Sequence, residues 1–341
     1  MNASLQIGKQ SIAFDKPVYI MSSACIVGPK EGDGPLKDTF DVVVDDPTFG
    51  EDSWEEGESQ LMKETSQLAL RKAKLKTEDI RYVFAGDLLG QLIATTFGLM
   101  DFNIPLFGLY GACSTSGEAL SLGAMTVHAG YADTVLAVAS SHFGGAEKQF
   151  RFPLEYGNQR PMSSTWTVTG CGAFVLSKEY GDVQISGITT GKVVDYGVKD
   201  SLNMGACMAP AAADVIYQHM KDFNRSAEDY DRIVTGDLGY VGREILCKLM
   251  LDQGYDISKV HMDCGMEIYD DEEQDTHAGG SGCGCSAVTL AGKLLNEIRQ
   301  GKIKRILFIP TGALLSTVSY NEGQTVPGIA HAVVIEKREE R

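Results

Sequence analysis

Cys113 sits in LYGACSTSG (109–117), directly after the apolar run IPLFG and directly before a long amphipathic pattern. A thiol at such a strand–turn–helix elbow meets the positive end of a helix dipole and free backbone N–H groups. Both would favour a thiolate and stabilise an oxyanion. A small buried cysteine filling a turn is the plain alternative. Asp87 follows the apolar run 81–86, at the carboxyl end where open α/β sheets bind ligands, and Gln91 lies one helical turn further on. The same Gly-Asp pair recurs at Gly236-Asp237, so a carboxylate that merely caps a turn would account for both. His331, in PGIAHAVVIE, shares one strand face with Ile329 and Val333, a setting more common for a hydrogen-bonded core histidine than for a ligand contact. His277, in THAGGSG, reads as a loop residue.

The elements that must position these groups alternate between short apolar runs and longer helical patterns, which predicts an α/β protein. Strands are expected at 18–27, 81–86, 104–108, 134–140, 172–177, 183–190, 231–236, 259–263, 304–310 and 329–336. Helices are expected at 53–74, 114–130, 208–223, 240–254 and 285–300, with 28–52 a long surface insertion. An internal repeat is visible. EDIRYVFAGDL (78–88) and EDYDRIVTGDL (228–238) agree at five of eleven positions. A second echo runs from Cys113 to Gly130 and from Gly284 to Gly301, 17 positions each, which aligns Cys113 with Gly284. Two halves of similar topology, joined near residue 180, follow from it.

Composition narrows the function classes. The 341 residues carry a formal net charge of -16, a poor match for nucleic acid or anionic lipid. A secretory signal peptide is not expected, and no apolar run is long enough to cross a bilayer. The eight cysteines form no C-x-x-C pair, so reduced thiols are expected rather than a structural zinc site. The acidic clusters near residues 45–56 and 270–273 lack the alternating ligands of a calcium loop, and no protein-bound metal is expected.

Cys113 at its elbow, the duplicated half and VTGCGAFVLS (168–177) resemble the thiolase-like superfamily over nearly the whole chain. More narrowly, GDLLGQ (86–91), GACSTSGEALSLGA (111–124), SSHFGGAEKQFRFPLEYGNQRP (140–161), MSSTWTVTGCGAF (162–174) and VPGIAHAVVIE (326–336) resemble the stage V sporulation AD family. The resemblance implies a thiolase-like α/β fold of duplicated βαβαβ halves in five layers, residues 1–180 and 181–341. It also implies a homodimer joined through a strand near the elbow, with His142 and Arg151 at the interface.

Enzymes of the superfamily pair the cysteine with a His, whose position here is Gly236. A second partner, Asn or His, lies three residues before the second elbow, here Ser281. Neither residue acts as a base near neutral pH. The expectation is therefore a protein that is not an enzyme and uses no cofactor. It would bind dipicolinate (pyridine-2,6-dicarboxylate), or its calcium chelate, for uptake into the developing endospore. It would act with membrane subunits of the same transport system, peripheral to the spore inner membrane. The expected ligand contacts are Asp87, Gln91, Cys113, Asn203, Gly328 and His331. Asn203 opens NMGACMAP (203–210), which is similar to the superfamily's substrate loop, and Asp87 is the expected partner of a chelated calcium. The rival is an active acyltransferase or ketoacyl synthase working through Cys113.

Overall fold

The computed structural model describes residues 5–150, 159–179 and 181–338. Ten strands form one continuous path: β1 (Ser11–Val27), β2 (Tyr82–Asp87), β3 (Leu106–Gly108), β4 (Thr134–Ser141), β5 (Gly170–Ser177), β6 (Val183–Thr189), β7 (Arg232–Thr235), β8 (His261–Asp263), β9 (Arg305–Ile309) and β10 (Ala332–Lys337). Their order is β8-β7-β9-β10-β6-β1-β5-β4-β2-β3. Read outward from the central β6–β1 contact, the two wings are the same. Each has two antiparallel pairings next to the centre, then two parallel ones. The short strands Gln6–Ile7 and Val42–Val43 flank β1.

Strand alternation divides the apolar residues among three cores. Val83 and Ala85 of β2 pack with Leu61, Met62 and Leu70 of the Trp54–Ala73 helix, whereas Phe84 turns inward toward Leu120 and Ala124 of the Thr115–His128 helix. In the second wing, Leu307 and Ile309 pack with Met208 and Ile216 of the Met204–Phe223 helix, and Ile306 and Phe308 join the inner core. Outer helices, sheet, inner helices, sheet and outer helices make five layers. Local signals fix the ends. Ser53 caps the Trp54–Ala73 helix by accepting from the Glu56 N–H (3.2 Å), and Lys74 ends it in the left-handed region (φ 58°).

Three expectations are corrected. Residues 28–52 are not wholly surface, because Glu31 and Leu36 are buried beneath the inner core. The segment 203–210 is not a loop. A helix runs from Met204, because Asn203 Oδ1 accepts the Ala206 N–H (3.3 Å), and Pro210 is carried inside it. The third concerns the elbows. Ser116 and Ser286 hydroxyls meet at 2.7 Å across the inner helices, 170 positions apart, whereas the first residues of β4 and β9 are 171 apart. A π-helical turn at Leu290–Leu294 interrupts the second elbow helix and takes up the extra residue. The structural counterpart of Cys113 is therefore Cys283, not Gly284.

Candidate functional site

The elbow is built by close backbone approach. Ala112 adopts φ 49°, uncommon for a residue with a side chain, and Thr115 Oγ1 donates to its carbonyl (2.7 Å). Ser114 Oγ donates to the Gly111 carbonyl (2.7 Å). A Cβ on Gly312 would lie 2.2 Å from the Gly111 oxygen, so only glycine lets the second wing approach the elbow.

Cys113 lines a pocket together with the polar Ser164, Thr165, Thr167, Ser201, Ser281 and Glu147 and the apolar or aromatic Leu88, Tyr110, Leu202, Met204 and Leu315. The pocket is narrow. It offers about 30 Å³ of water-accessible room within about 540 Å³ of empty space that includes open solvent. No histidine, lysine or arginine lines it among the described residues.

The partner of Cys113 is Asp237, whose carboxyl its thiol engages. Asp237 is fully buried. Its Oδ2 accepts from the Gly282 N–H (2.9 Å) and its Oδ1 from Thr311 Oγ1 (2.9 Å). Burial pushes the Asp237 carboxyl up to about 7, against those hydrogen bonds. Burial, reinforced by the charge of Asp237, pushes the Cys113 thiol well above its ordinary range. The helix-dipole expectation of a thiolate is thus overturned: desolvation outweighs the dipole, and Cys113 stays protonated near neutral pH. Around the elbow, Cys283 donates to the Ser140 carbonyl (2.8 Å) and Cys285 to the Gly236 carbonyl (3.5 Å).

Of the expected contacts Cys113 lines this pocket and the other five do not. Asp87 is buried beside it with its oxygens committed: Oδ2 accepts from the Thr95 N–H (2.9 Å) and Oγ1 (2.8 Å), and Oδ1 from the Leu89 N–H (3.1 Å). Its neighbour is the buried Glu58, whose carboxyl is pushed up to about 8 by burial and by the charge of Asp87. Gln91 is exposed in the turn after Leu88. Asn203 is a helix cap next to the lining residues Leu202 and Met204. Gly328 packs under the Cys207 carbonyl, 2.7 Å from where its Cβ would be. His331 Nδ1 accepts from the Gly191 N–H (3.3 Å), and burial lowers its pKa to about 4, so the ring is neutral. His277 bonds Pro161 O (3.0 Å) and Asp275, outside the lining. His142 is buried, with Nε2 on Pro47 O (2.9 Å) and Nδ1 accepting from the Gly144 N–H (3.1 Å). Arg151 lies outside the described residues.

The sequence reading missed Glu147, Ser164, Thr165, Thr167, Ser201 and Leu315. The one available signal was alternation in STWTV (164–168), which sends Thr165 and Thr167 to one face.

The family profile of Stage V sporulation protein AD matches residues 8–336. The chain belongs to that family. Stage V sporulation protein AD of Bacillus subtilis (strain 168) is 45% identical over 330 residues, covering 97% of each chain. Among solved structures, 3-oxoacyl-(acyl-carrier-protein) synthase III from Aquifex aeolicus VF5 superposes with a TM-score of 0.55 at 13% identity, covering 94% of this chain and 99% of that one. An OleA structure from Xanthomonas campestris gives 0.61 at 14% identity, covering 95% and 99%. At such identities these likenesses speak for the fold alone, and the fold is thiolase-like, as expected. No helix among the described residues is long and apolar enough to cross a membrane.

Proposed function

We propose that the chain binds dipicolinate, or its calcium chelate, in the Cys113 pocket during sporulation, without acyl transfer. The observation that carries the non-catalytic reading is the setting of Cys113. Its thiol is held protonated against a buried carboxyl, and no histidine lines the pocket among the described residues. A condensing cysteine needs a base poised near working pH and an activated thiolate. The ligand itself comes from the family resemblance.

Charge selects the form bound. The lining has one carboxylate, Glu147, and no cation among the described residues, so a free dianion is disfavoured and the neutral calcium chelate is preferred. The Asp87 oxygens already accept from Thr95 and Leu89, and Glu147 Oε1 from the Thr167 N–H and Oγ1, so either carboxylate would give up a protein hydrogen bond to meet the chelated calcium. Membrane subunits of a sporulation transport system and a peripheral place on the spore inner membrane belong to the same proposal. So does a homodimer formed through β3, an edge strand whose Leu106 and Phe107 are exposed.

Calorimetric titration with dipicolinate, in calcium and in chelator at fixed ionic strength, is the test. Saturable binding that tightens with calcium and weakens in Cys113→Ala is expected. Absence of binding in both conditions, or turnover of an acyl thioester that disappears in Cys113→Ala, would overturn the reading.

A further inference from the structure

The wall strand of the pocket has a second face. Thr165 and Thr167 line the pocket, and alternation turns Trp166 the other way. There its ring stacks on Phe143 (centroids 4.1 Å apart, 12°) and carries two cations. Lys30 Nζ lies 4.4 Å from a Trp166 ring centroid and the Arg160 guanidinium carbon 4.9 Å.

Arg160 is unusual. Its side chain is 2% exposed, and Nη2 donates to the Asp275 carbonyl (2.6 Å) and Oδ2 (2.9 Å). Nε and Nη1 are equally buried and meet no acceptor among the described residues. Buried donors left unbonded are rare and call for a physical explanation. Lys30 Nζ has one hydrogen bond, to the Gln274 carbonyl (2.6 Å), out of the three an ammonium can make. Both cations therefore hold unspent donors beside the Trp166 ring.

The facing charges do not fill the site. Asp275 is 75% exposed and shares its carboxylate with His277 (3.1 Å). Asp33 is exposed on the Lys30 side. Glu31 is fully buried, which pushes its carboxyl toward the neutral form, and its Oε1 is taken by the Thr169 N–H (3.0 Å) and the Tyr269 hydroxyl.

We propose that Arg160 and Lys30 form a carboxylate-binding subsite beside Trp166, separate from the Cys113 pocket. Two cations already partly balanced by Asp275 and Asp33 suit a small, singly charged head group better than a phosphate. A flat carboxylate can take guanidinium and ammonium donors together. Lys30 and Trp166 are only partly buried and give the way in.

The chain has two tryptophans, so Trp54→Phe leaves Trp166 as the sole reporter. Acetate titrated into that protein, against sodium chloride of equal ionic strength, should change Trp166 emission saturably. Arg160→Gln in the same background should weaken the response at least about tenfold, as loss of a charge-assisted bond would. Lys30→Gln should weaken it less, and serves alone if the Arg160 variant does not fold. Cys113→Ala should leave it unchanged, which keeps the subsite distinct from the pocket. No saturable change, a change indifferent to both cation substitutions, or one abolished by Cys113→Ala would overturn the subsite.

Discussion

The two Gly-Asp turns began as the same sequence and now do different work. In the first wing, Asp87 closes its own turn and anchors the next helix through Thr95, and nothing of it reaches the pocket floor. In the second wing, Asp237 ignores its own turn. Its oxygens accept from Gly282 and Thr311 of the same wing, and the carboxyl engages Cys113 of the other. Both are buried carboxyls raised by desolvation, so burial alone does not mark the site. The company each keeps does: one faces its own segment, the other faces its own elbow and the thiol of the opposite one. In a duplicated fold, local likeness sets the turn, while the far half decides what its side chain is for.

That contrast can be broken by experiment, and the largest effect belongs to Asp87. Asp87→Ala strands three donors at roughly 1–3 kcal/mol each, less the relief of repulsion on Glu58, so a loss of about 3 kcal/mol is expected by urea unfolding. Affinity of the folded protein for dipicolinate should be unchanged. A drop in affinity at constant urea midpoint would put Asp87 back in the site.

Next comes pH. Glu58 is raised to about 8 and Asp237 to about 7, so each favours the folded state fully at acid pH and loses that contribution as pH rises through those values. His219 and His261, lowered to about 3, and His331, lowered to about 4, act oppositely and weaken the fold only as pH falls below their ordinary 6.5. Stability should therefore decline between pH 6.5 and 8, by about 1.4 kcal/mol per pH unit for each carboxyl still titrating. Glu58→Gln should flatten that decline, and Asp237→Asn should flatten the part below pH 7. A urea midpoint constant over this range contradicts the buried-acid account.

A smaller effect concerns the thiol. Asp237→Asn removes the second cause, after burial, of the raised Cys113 thiol, so alkylation of Cys113 by iodoacetamide at neutral pH should quicken, about tenfold per unit of pKa recovered. Asp87→Asn should not change it. Peptide mapping is the readout, because the chain has eight cysteines. Equal rates in the two variants would erase the distinction between the turns. Smallest of all is Gln91→Ala, expected to change stability by less than about 0.5 kcal/mol and affinity not at all, since the side chain is exposed.

Much of the fold was legible in the sequence because periodicity is a local property. Eight of the ten sheet strands sit where alternation or apolar runs place them to within two residues, while β1 begins at 11 rather than 18 and β10 at 332 rather than 329, residues 328–330 forming a separate short strand. The EDxxxxxxGDL echo correctly pairs β2 with β7. The pocket was less legible. Cys113 is marked by its elbow, but Ser164, Thr165, Ser201 and Ser281 are unremarkable residues brought together by pairings far apart in the chain, such as Gly280–Ser281 beside Trp166–Thr167. Asp87 looked as good as Asp237 because a carboxylate after a strand carries no sign of which half its oxygens will face. The Gly284 alignment failed for a countable reason: equal spacing to a glycine assumes one helical pitch throughout.

The π turn at Leu290–Leu294 has a consequence for how this duplication aged. It acts as a phase corrector between two points that could not move, the Cys283 elbow and the start of β9. An added residue in an ordinary helix would have rotated everything before it by about 100° and swung Cys283 and Ser286 away from the shared axis. Widening one turn absorbed the addition where it occurred, so the symmetry of the centre outlived the symmetry of the numbering. Drift in length was tolerated there, inside a helix, while the two elbows themselves stayed in step.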